Sequence, residues 1–397
     1  MRLSPFVLLC TTGLFAIFSS TISKSPVLPL FTSYLGADPA KVGLVAAVSA
    51  FTGIVASIPA GILSDRLGRR RMLIFSAIVF ASAPFLYLLV TNIYQLAAIR
   101  FYHGLATAIF VPVAMALVSD LFQKERGEKI GWFSTSTLVG RFMAPIIGGA
   151  IIGAMVISPG FSYKIVYIVC GITGVLVLLL ALGIQGSDEH IKNNRSWAET
   201  AGIFKTVISN RDILITSGIE AAILFAYGTF ETFLPLYAIK AGISAYEIGI
   251  FLSSQIITLA LTKPVMGKFS DKHGREPQIF AGAIIGAVCI GGFPMFKSFI
   301  PLLTLSILFG LSLSIVTSAT SALIADLSMK ENRGSAMGVL GSIMDIGHTT
   351  GPIVAGIIAA YFGFTQSFLT ASLVVIAAAF VFWFSIKRTS VKTNIAA

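Results

Sequence analysis

Apolar residues run along this chain in long blocks, and short polar segments punctuate them. Twelve blocks stand out: 6–34, 41–63, 72–91, 94–120, 130–157, 164–185, 212–239, 244–266, 277–296, 299–326, 335–361 and 365–386. A hydrocarbon core of about 30 Å is crossed by roughly 20 apolar residues wound as a helix. Each block therefore predicts one membrane-spanning helix. Barrel strands do not fit, since they are about 10 residues long and alternate polar with apolar. The first block follows Arg2 and continues to residue 34 with no small-x-small cleavage pattern. It reads as a retained first span and not as a signal peptide.

A second pattern lies over the first. Shifted by 206, Leu28-Pro29-Leu30 meets Leu234-Pro235-Leu236, Gly36 meets Gly242, and Gly43 meets Gly249. Gly61, Asp65, Gly68 and Arg69 meet Gly267, Asp271, Gly274 and Arg275, and Asp120 meets Asp326. After one inserted residue the shift becomes 207. Gly127, Gly131, Gly140, Pro145 and Gly149 then meet Gly334, Gly338, Gly347, Pro352 and Gly356. Shared composition explains many glycines but not a common register. An internal repeat in a membrane protein points to two bundles that rock about a central site. The expected organisation is a six-helix bundle over 1–185, a linker over 186–211, and a second bundle over 212–397. The linker is the longest polar stretch, and its AETAGIFKTVI segment reads as a short amphipathic helix along the membrane interface.

Composition agrees. The chain is 56% hydrophobic and 11% charged, where a soluble domain carries about 25% charged residues. The net charge of +11 would suit nucleic acid, but its distribution does not. With the N-terminus placed inside, the inner segments hold 20 Lys or Arg and the outer loops hold four: Lys41, Lys164, Lys240 and Lys297. Four more, Lys24, Arg100, Arg141 and Lys263, fall within spans. That asymmetry predicts both termini in the cytoplasm by the positive-inside rule. The basic excess thus reads as topology, with the lipid bilayer as partner and no nucleic acid. Cys10, Cys170 and Cys289 all lie within spans, at spacings that suit neither a metal site nor a disulfide framework.

The segment after the second span reads GILSDRLGRRRML, residues 61–73. Gly61 would allow close helix approach, and Gly68 a tight turn. Asp65 can accept hydrogen bonds from Arg69. GKFSDKHGRE at 267–276 echoes it. Here the sequence resembles the major facilitator superfamily, over nearly its whole length. GILSDRLGRRR matches that family's loop 2–3 motif, and the second copy is looser. LAAIRFYHGLATA (96–108) resembles the span-four motif through Arg100 and Gly104. GRFMAPIIGG (140–149) is similar to the span-five antiporter motif, with Ala144 where the family pattern has Gly, and with Gly140, Pro145 and Gly149 in place. Its counterpart GHTTGPIVAG carries Gly347, Gly351 and Pro352. The resemblance implies an all-α fold of twelve transmembrane helices in two pseudo-symmetric six-helix bundles, working by alternating access. It also implies a conformational latch of Asp65, Arg69 and Asp120, with Asp271, Arg275 and Asp326 as the pseudo-symmetric set.

Ionisable groups at bilayer depth are costly and mark function by default. Nine qualify: Lys24, Arg100, His103, Arg141, Glu220, Glu231, Lys263, Asp345 and His348. Glu220 and Glu231 are 11 residues apart and share a helix face, with Tyr227 on it too. Arg100 and His103 share a face, as do Asp345 and His348. Alternatives remain: Lys24 can snorkel to the outer interface, Lys263 reads as interfacial, and Glu220, eight residues into its span, can be an inner-interface group. Arg100 and Arg141 have no easy escape to water. By the resemblance, all nine lie on spans that reach the central cavity. Proton coupling needs a buried carboxylate whose proton affinity changes with conformation, and Glu231 and Asp345 suit that role best.

The sequence therefore predicts a secondary transporter in the cytoplasmic membrane, multi-pass and monomeric. It would exchange protons for amphipathic small-molecule substrates moved outward, in the manner of the drug:proton antiporters. Lys24, Arg100 and Arg141 against Glu231 and Asp345 also suit an organic anion or other metabolite, the runner-up reading. No nucleophile–base constellation, metal cluster or cofactor motif points to an enzyme. The energy source expected is the proton gradient, without a cofactor.

Overall fold

The computed structural model describes residues 4–184, 209–328 and 333–395. The predicted linker helix, residues 198–208, lies outside them. Twelve helices are long and apolar enough to cross a membrane. Span one is in two pieces, Pro5–Ile22 and Val27–Tyr34, interrupted before Pro26. Spans two to six are Pro39–Leu67, Arg69–Leu86, Ile93–Leu121, Arg126–Ala154 and Pro159–Leu182. Spans seven to twelve are Arg211–Lys240, Ala245–His273, Arg275–Gly292, Phe299–Leu327, Arg333–Phe362 and Phe364–Ile395.

Local chemistry sets the starts. Ser4, Asp38 and Asn92 each accept a backbone N–H from the first turn of the following helix, satisfying donors that a helix leaves orphaned. Pro5 and Pro39 take first-turn positions where no N–H is needed.

The sequence repeat is a repeat of structure. Gly68 and Gly274, 206 apart, have φ of +94° and +90° with ψ near 140°. Only glycine adopts that conformation readily. A 3-10 turn at Tyr87–Leu89 recurs at Phe293–Met295, again 206 later.

The chain forms two compact units. Unit 1 comprises Met1–Asn193 with Ala238–Ser253, and unit 2 comprises Asn194–Tyr237 with Ser254–Ala397. This differs from the expected division by placing Ala238–Ser253 in the first unit. The physical reason is close backbone packing. A Cβ on Gly149 would lie 3.2 Å from the Cα of Gly249, and one on Gly249 would lie 3.1 Å from the carbonyl carbon of Pro145. The Ser253 hydroxyl donates to Phe142 O at 2.6 Å.

In unit 1, span one packs on span five, span two on span four, and span three on span six. Its apolar core gathers Phe80, Phe110, Phe133, Leu117 and Val177 among its fully buried residues. In unit 2, span nine packs on spans ten and twelve, and span eleven on span twelve.

Candidate functional site

Glycine brings spans seven and eleven of unit 2 together. A Cβ on Gly347 would lie 2.9 Å from the Cα of Ala221, and one on Gly351 would lie 3.0 Å from the Cα of Phe225. One helix thus runs along the other with backbones touching, as small residues allow inside a membrane. Gly228 adds a third point, against Pro352 and the carbonyl of His348. This contact sets Glu231 against His348, with Nε2 3.3 Å from Glu231 Oε2. The glutamate side chain is 10% exposed and the imidazole 21%. Tyr227 stacks on His348, with ring centroids 5.4 Å apart and planes inclined by 27°. The sequence placed Glu231 and Tyr227 on one face; the structure adds His348 to it. Such a pair holds one proton in two ways, as carboxylic acid with neutral imidazole or as carboxylate with imidazolium.

Glu220 is buried, at 1% exposure. Thr320 of span ten contacts its Oε2 at hydrogen-bond distance. The same hydroxyl lies 2.9 Å from Val316 O. Asp345 is half-buried and Lys263 exposed.

In unit 1, Arg100 is 3% exposed and His103 2%. The guanidinium donates from Nη1 to Ser23 Oγ at 3.2 Å and to Tyr87 Oη at 3.4 Å, and from Nη2 to Ser49 Oγ at 2.9 Å. Tyr87 Oη also lies 3.4 Å from His103 Nδ1. Beyond it, Tyr87 stacks on Tyr167 with centroids 4.2 Å apart. Lys24 is half-buried. Arg141 is exposed.

The ion pairs of both motifs expected to act as latches are formed. Arg69 bonds Asp65 at 2.5 Å, Asp120 at 3.2 Å and the Ser64 hydroxyl at 2.5 Å. Arg275 bonds Asp271 at 3.0 Å and Asp326 at 2.5 Å. The first copy is the less exposed of the two. Gly61 does not mark a close helix approach, since a Cβ there would meet nothing within 4 Å among the described residues. The loop's turn needs Gly68 instead. In span five, a Cβ on Gly140 would lie 3.0 Å from the backbone N of Phe18 in span one, matching Gly347 on span seven. Ala144 stands where the second copy has Gly351, and it is fully buried. Pro145 and Pro352 lie within their helices, which membrane helices tolerate when neighbours satisfy the freed carbonyls.

Sequence reasoning did not find Ser23, Ser49, Tyr87, Ser64 or Thr320. Ser64 alone had a signal, because it lies inside the loop motif and recurs as Ser270 under the 206 shift.

The model of the Major Facilitator Superfamily matches residues 9–254 and again 221–397. An uncharacterised MFS-type transporter of Methanocaldococcus jannaschii is 24% identical over 375 residues, covering 92% of this chain and 94% of that protein. The multidrug resistance protein MdtG of Dickeya zeae is 27% identical over 378 residues, covering 92% and 90%. Among solved structures, a bacterial homologue of the human lysosomal transporter Spinster, inward-facing and occupied, superposes with a TM-score of 0.83. It is 17% identical, and the match covers 98% of this chain and 97% of that one.

Proposed function

Since the chain belongs to the Major Facilitator Superfamily, and is thus a multi-pass membrane transporter and not an enzyme, we propose that it exports amphipathic small molecules in exchange for protons. The observation that carries this reading is the Glu231–His348 pair, a carboxyl and an imidazole bonded inside unit 2. Moving an ionised group into low dielectric favours its neutral form, so a change in solvation shifts where the proton sits. A pair that is bonded in one conformation and hydrated in another takes a proton from one side and yields it on the other. Energy then comes from the proton gradient without a cofactor. The similarity to proteins named for multidrug resistance supports amphipathic compounds as the substrate class. The arginine and lysine bias supports insertion in the cytoplasmic membrane with both termini inside. The protein acts as a monomer in this reading, because each chain carries both halves of the repeat.

Two latches support alternating access. Arg69 with Asp65 and Asp120, and Arg275 with Asp271 and Asp326, tie three helix ends together within each unit. Breaking and remaking such pairs is the kind of two-state event on which a rocking cycle runs.

The test is flux in proteoliposomes. A fluorescent amphipathic dye such as ethidium is loaded, and a pH gradient is imposed. Dye should move against its gradient in wild type, and Glu231→Gln should abolish the pH dependence. If neither the gradient nor that substitution changes dye flux, the exchange reading fails. A strain lacking the protein should also become more sensitive to amphipathic drugs.

A further inference from the structure

We propose that the Arg100 cluster in unit 1 is a binding site for an anionic group, and that it takes the carboxylate of an amphipathic ligand. A guanidinium stays protonated at any accessible pH. Arg100 is 3% exposed, yet the groups that accept its hydrogen bonds are all neutral hydroxyls: Ser23, Ser49 and Tyr87. It forms no ion pair with any described residue. A buried charge without a counter-charge costs several kcal/mol. Buried arginine normally meets a carboxylate or phosphate, to which its fork is matched.

Among the described residues, unit 1 offers no such partner at depth. Its acidic residues are Asp38, Asp65, Asp120, Glu125, Glu128, Asp188, Glu189 and Glu247. The first is in a loop and paired with Lys41. Asp65 and Asp120 are held by Arg69, and Glu125 by Lys129. Glu128 and Glu247 lie in the first turns of spans five and eight. Asp188 and Glu189 belong to the linker beyond span six.

A second observation points to a ligand. Three buried polar atoms in this cluster have no hydrogen-bond partner among the described residues: Arg100 Nε, His103 Nε2 and Tyr167 Oη. Hydrogen counting shows what they offer. Tyr87 Oη accepts from Arg100 and has one hydrogen to give, which His103 Nδ1 can receive. That assignment satisfies both groups and leaves the imidazole hydrogen on Nε2. The three orphans are then all donors: a guanidinium N–H, an imidazole N–H and a phenol O–H. Buried polar groups are ordinarily satisfied. Three unsatisfied donors around one unpaired cation form a surface that an acceptor bearing negative charge completes. Ser49, half-buried at the margin of the cluster, is the side from which such a group reaches Arg100, by displacing the hydroxyl from Nη2.

The experiment is a thermal-shift titration of the full-length protein in detergent with sodium decanoate, with decanamide as the neutral control, decyltrimethylammonium as the cationic control, and sodium chloride against sodium gluconate. The expected result is a saturable rise in Tm with decanoate that neither control reproduces, and apparent affinity weaker by about a hundredfold in Arg100→Gln. The Arg100→Gln protein should melt no lower than wild type without ligand, because it loses a buried unpaired charge; an arginine that only braces the fold would give a lower Tm. A rise with chloride and not gluconate, equally abolished by Arg100→Gln, supports the site and makes a free inorganic anion its occupant. Should Arg100→Gln not fold, Arg100→Lys keeps the charge but not the fork, and the decanoate affinity should fall about tenfold. No anion-dependent rise in wild type, or the same rise in Arg100→Gln or Arg100→Lys, overturns the proposal. Dye flux can be independent of pH without affecting any of these outcomes, so this test and that of proton exchange fail separately.

Discussion

Replacing Gly351 by alanine tests the geometry that brings Glu231 to His348. The new Cβ would lie 3.0 Å from both the carbonyl carbon and the Cα of Phe225, and closer still to its oxygen. Carbon atoms prefer about 3.5–4.0 Å, so spans seven and eleven must part by about 0.5–1 Å. Neither side of the contact is a flexible side chain, so the strain falls on backbone. Overpacking of this kind costs about 1–3 kcal/mol, against about 1 kcal/mol gained from alanine's helix propensity. His348 lies one turn earlier on the same face, and its 3.3 Å bond to Glu231 has little slack. Parting the helices carries it toward or past the distance at which a hydrogen bond is made. Gly131→Ala is the control, since a Cβ there meets nothing within 4 Å, and it should leave Tm unchanged or raised. The assay is thermal unfolding of both purified variants in detergent, with dye flux in proteoliposomes. Gly351→Ala should lower Tm and reduce pH-driven flux at normal membrane levels. If Gly351→Ala matches Gly131→Ala in both measurements, the two backbones are not in contact and the reasoning is wrong.

Three further outcomes are expected. Asp65→Asn, which weakens the bonds of Arg69, should lower transport without lowering the amount of protein in the membrane, as read by flux against quantitative immunoblot. Gly68→Ala forces a side chain into φ +94° and should cost about 2 kcal/mol, visible as a lower Tm, whereas Gly61→Ala should not. Thr320→Val leaves buried Glu220 without its hydroxyl partner and should destabilise by about 1–3 kcal/mol; Glu220→Gln in the same background should recover most of the lost Tm, because the amide carries no charge to satisfy.

How much of this was legible in the sequence depended on range. The spans were legible because hydrophobic thickness is a local count, and the observed helices fall on the twelve blocks. The turn at Gly68 and the ion pair of Arg69 with Asp65 were legible too, since that pair joins residues four apart. Partners across helices were not. Ser23 and Ser49 lie 77 and 51 residues from Arg100, and a serine in a span leaves no periodic trace. Most hydroxyls here bond their own helix four residues back, as Thr12, Thr52 and Thr229 do, so sequence alone does not separate these from the few that reach across. Gly61 misled for a related reason. A motif glycine reports either a backbone angle or a close contact, and only coordinates show which; here Gly68 has the angle and Gly140, Gly347 and Gly351 have the contacts.

The repeat gives the two units one frame on which different side chains stand at depth. Turns and packing glycines recur because they are set by backbone geometry, which duplication copies: φ at Gly68 and Gly274, and the contact of Gly140 with span one and of Gly347 with span seven. Side chains at depth are free of that constraint and have diverged. Under the shift Arg100 meets Ser306, Glu231 meets Ser25, and Asp345 meets Leu138. The spans of unit 1 therefore carry buried cationic and donor groups with no carboxylate at depth, while those of unit 2 carry Glu220, Glu231 and Asp345. A single site serving both anion and proton would let them neutralise each other in place, and an arginine bonded to a carboxylate has no need of a ligand. On the two readings proposed above, the lack of a carboxylate at depth among the described residues of unit 1 keeps Arg100 open to an external anion, and the carboxyls of unit 2 are the groups that would exchange protons.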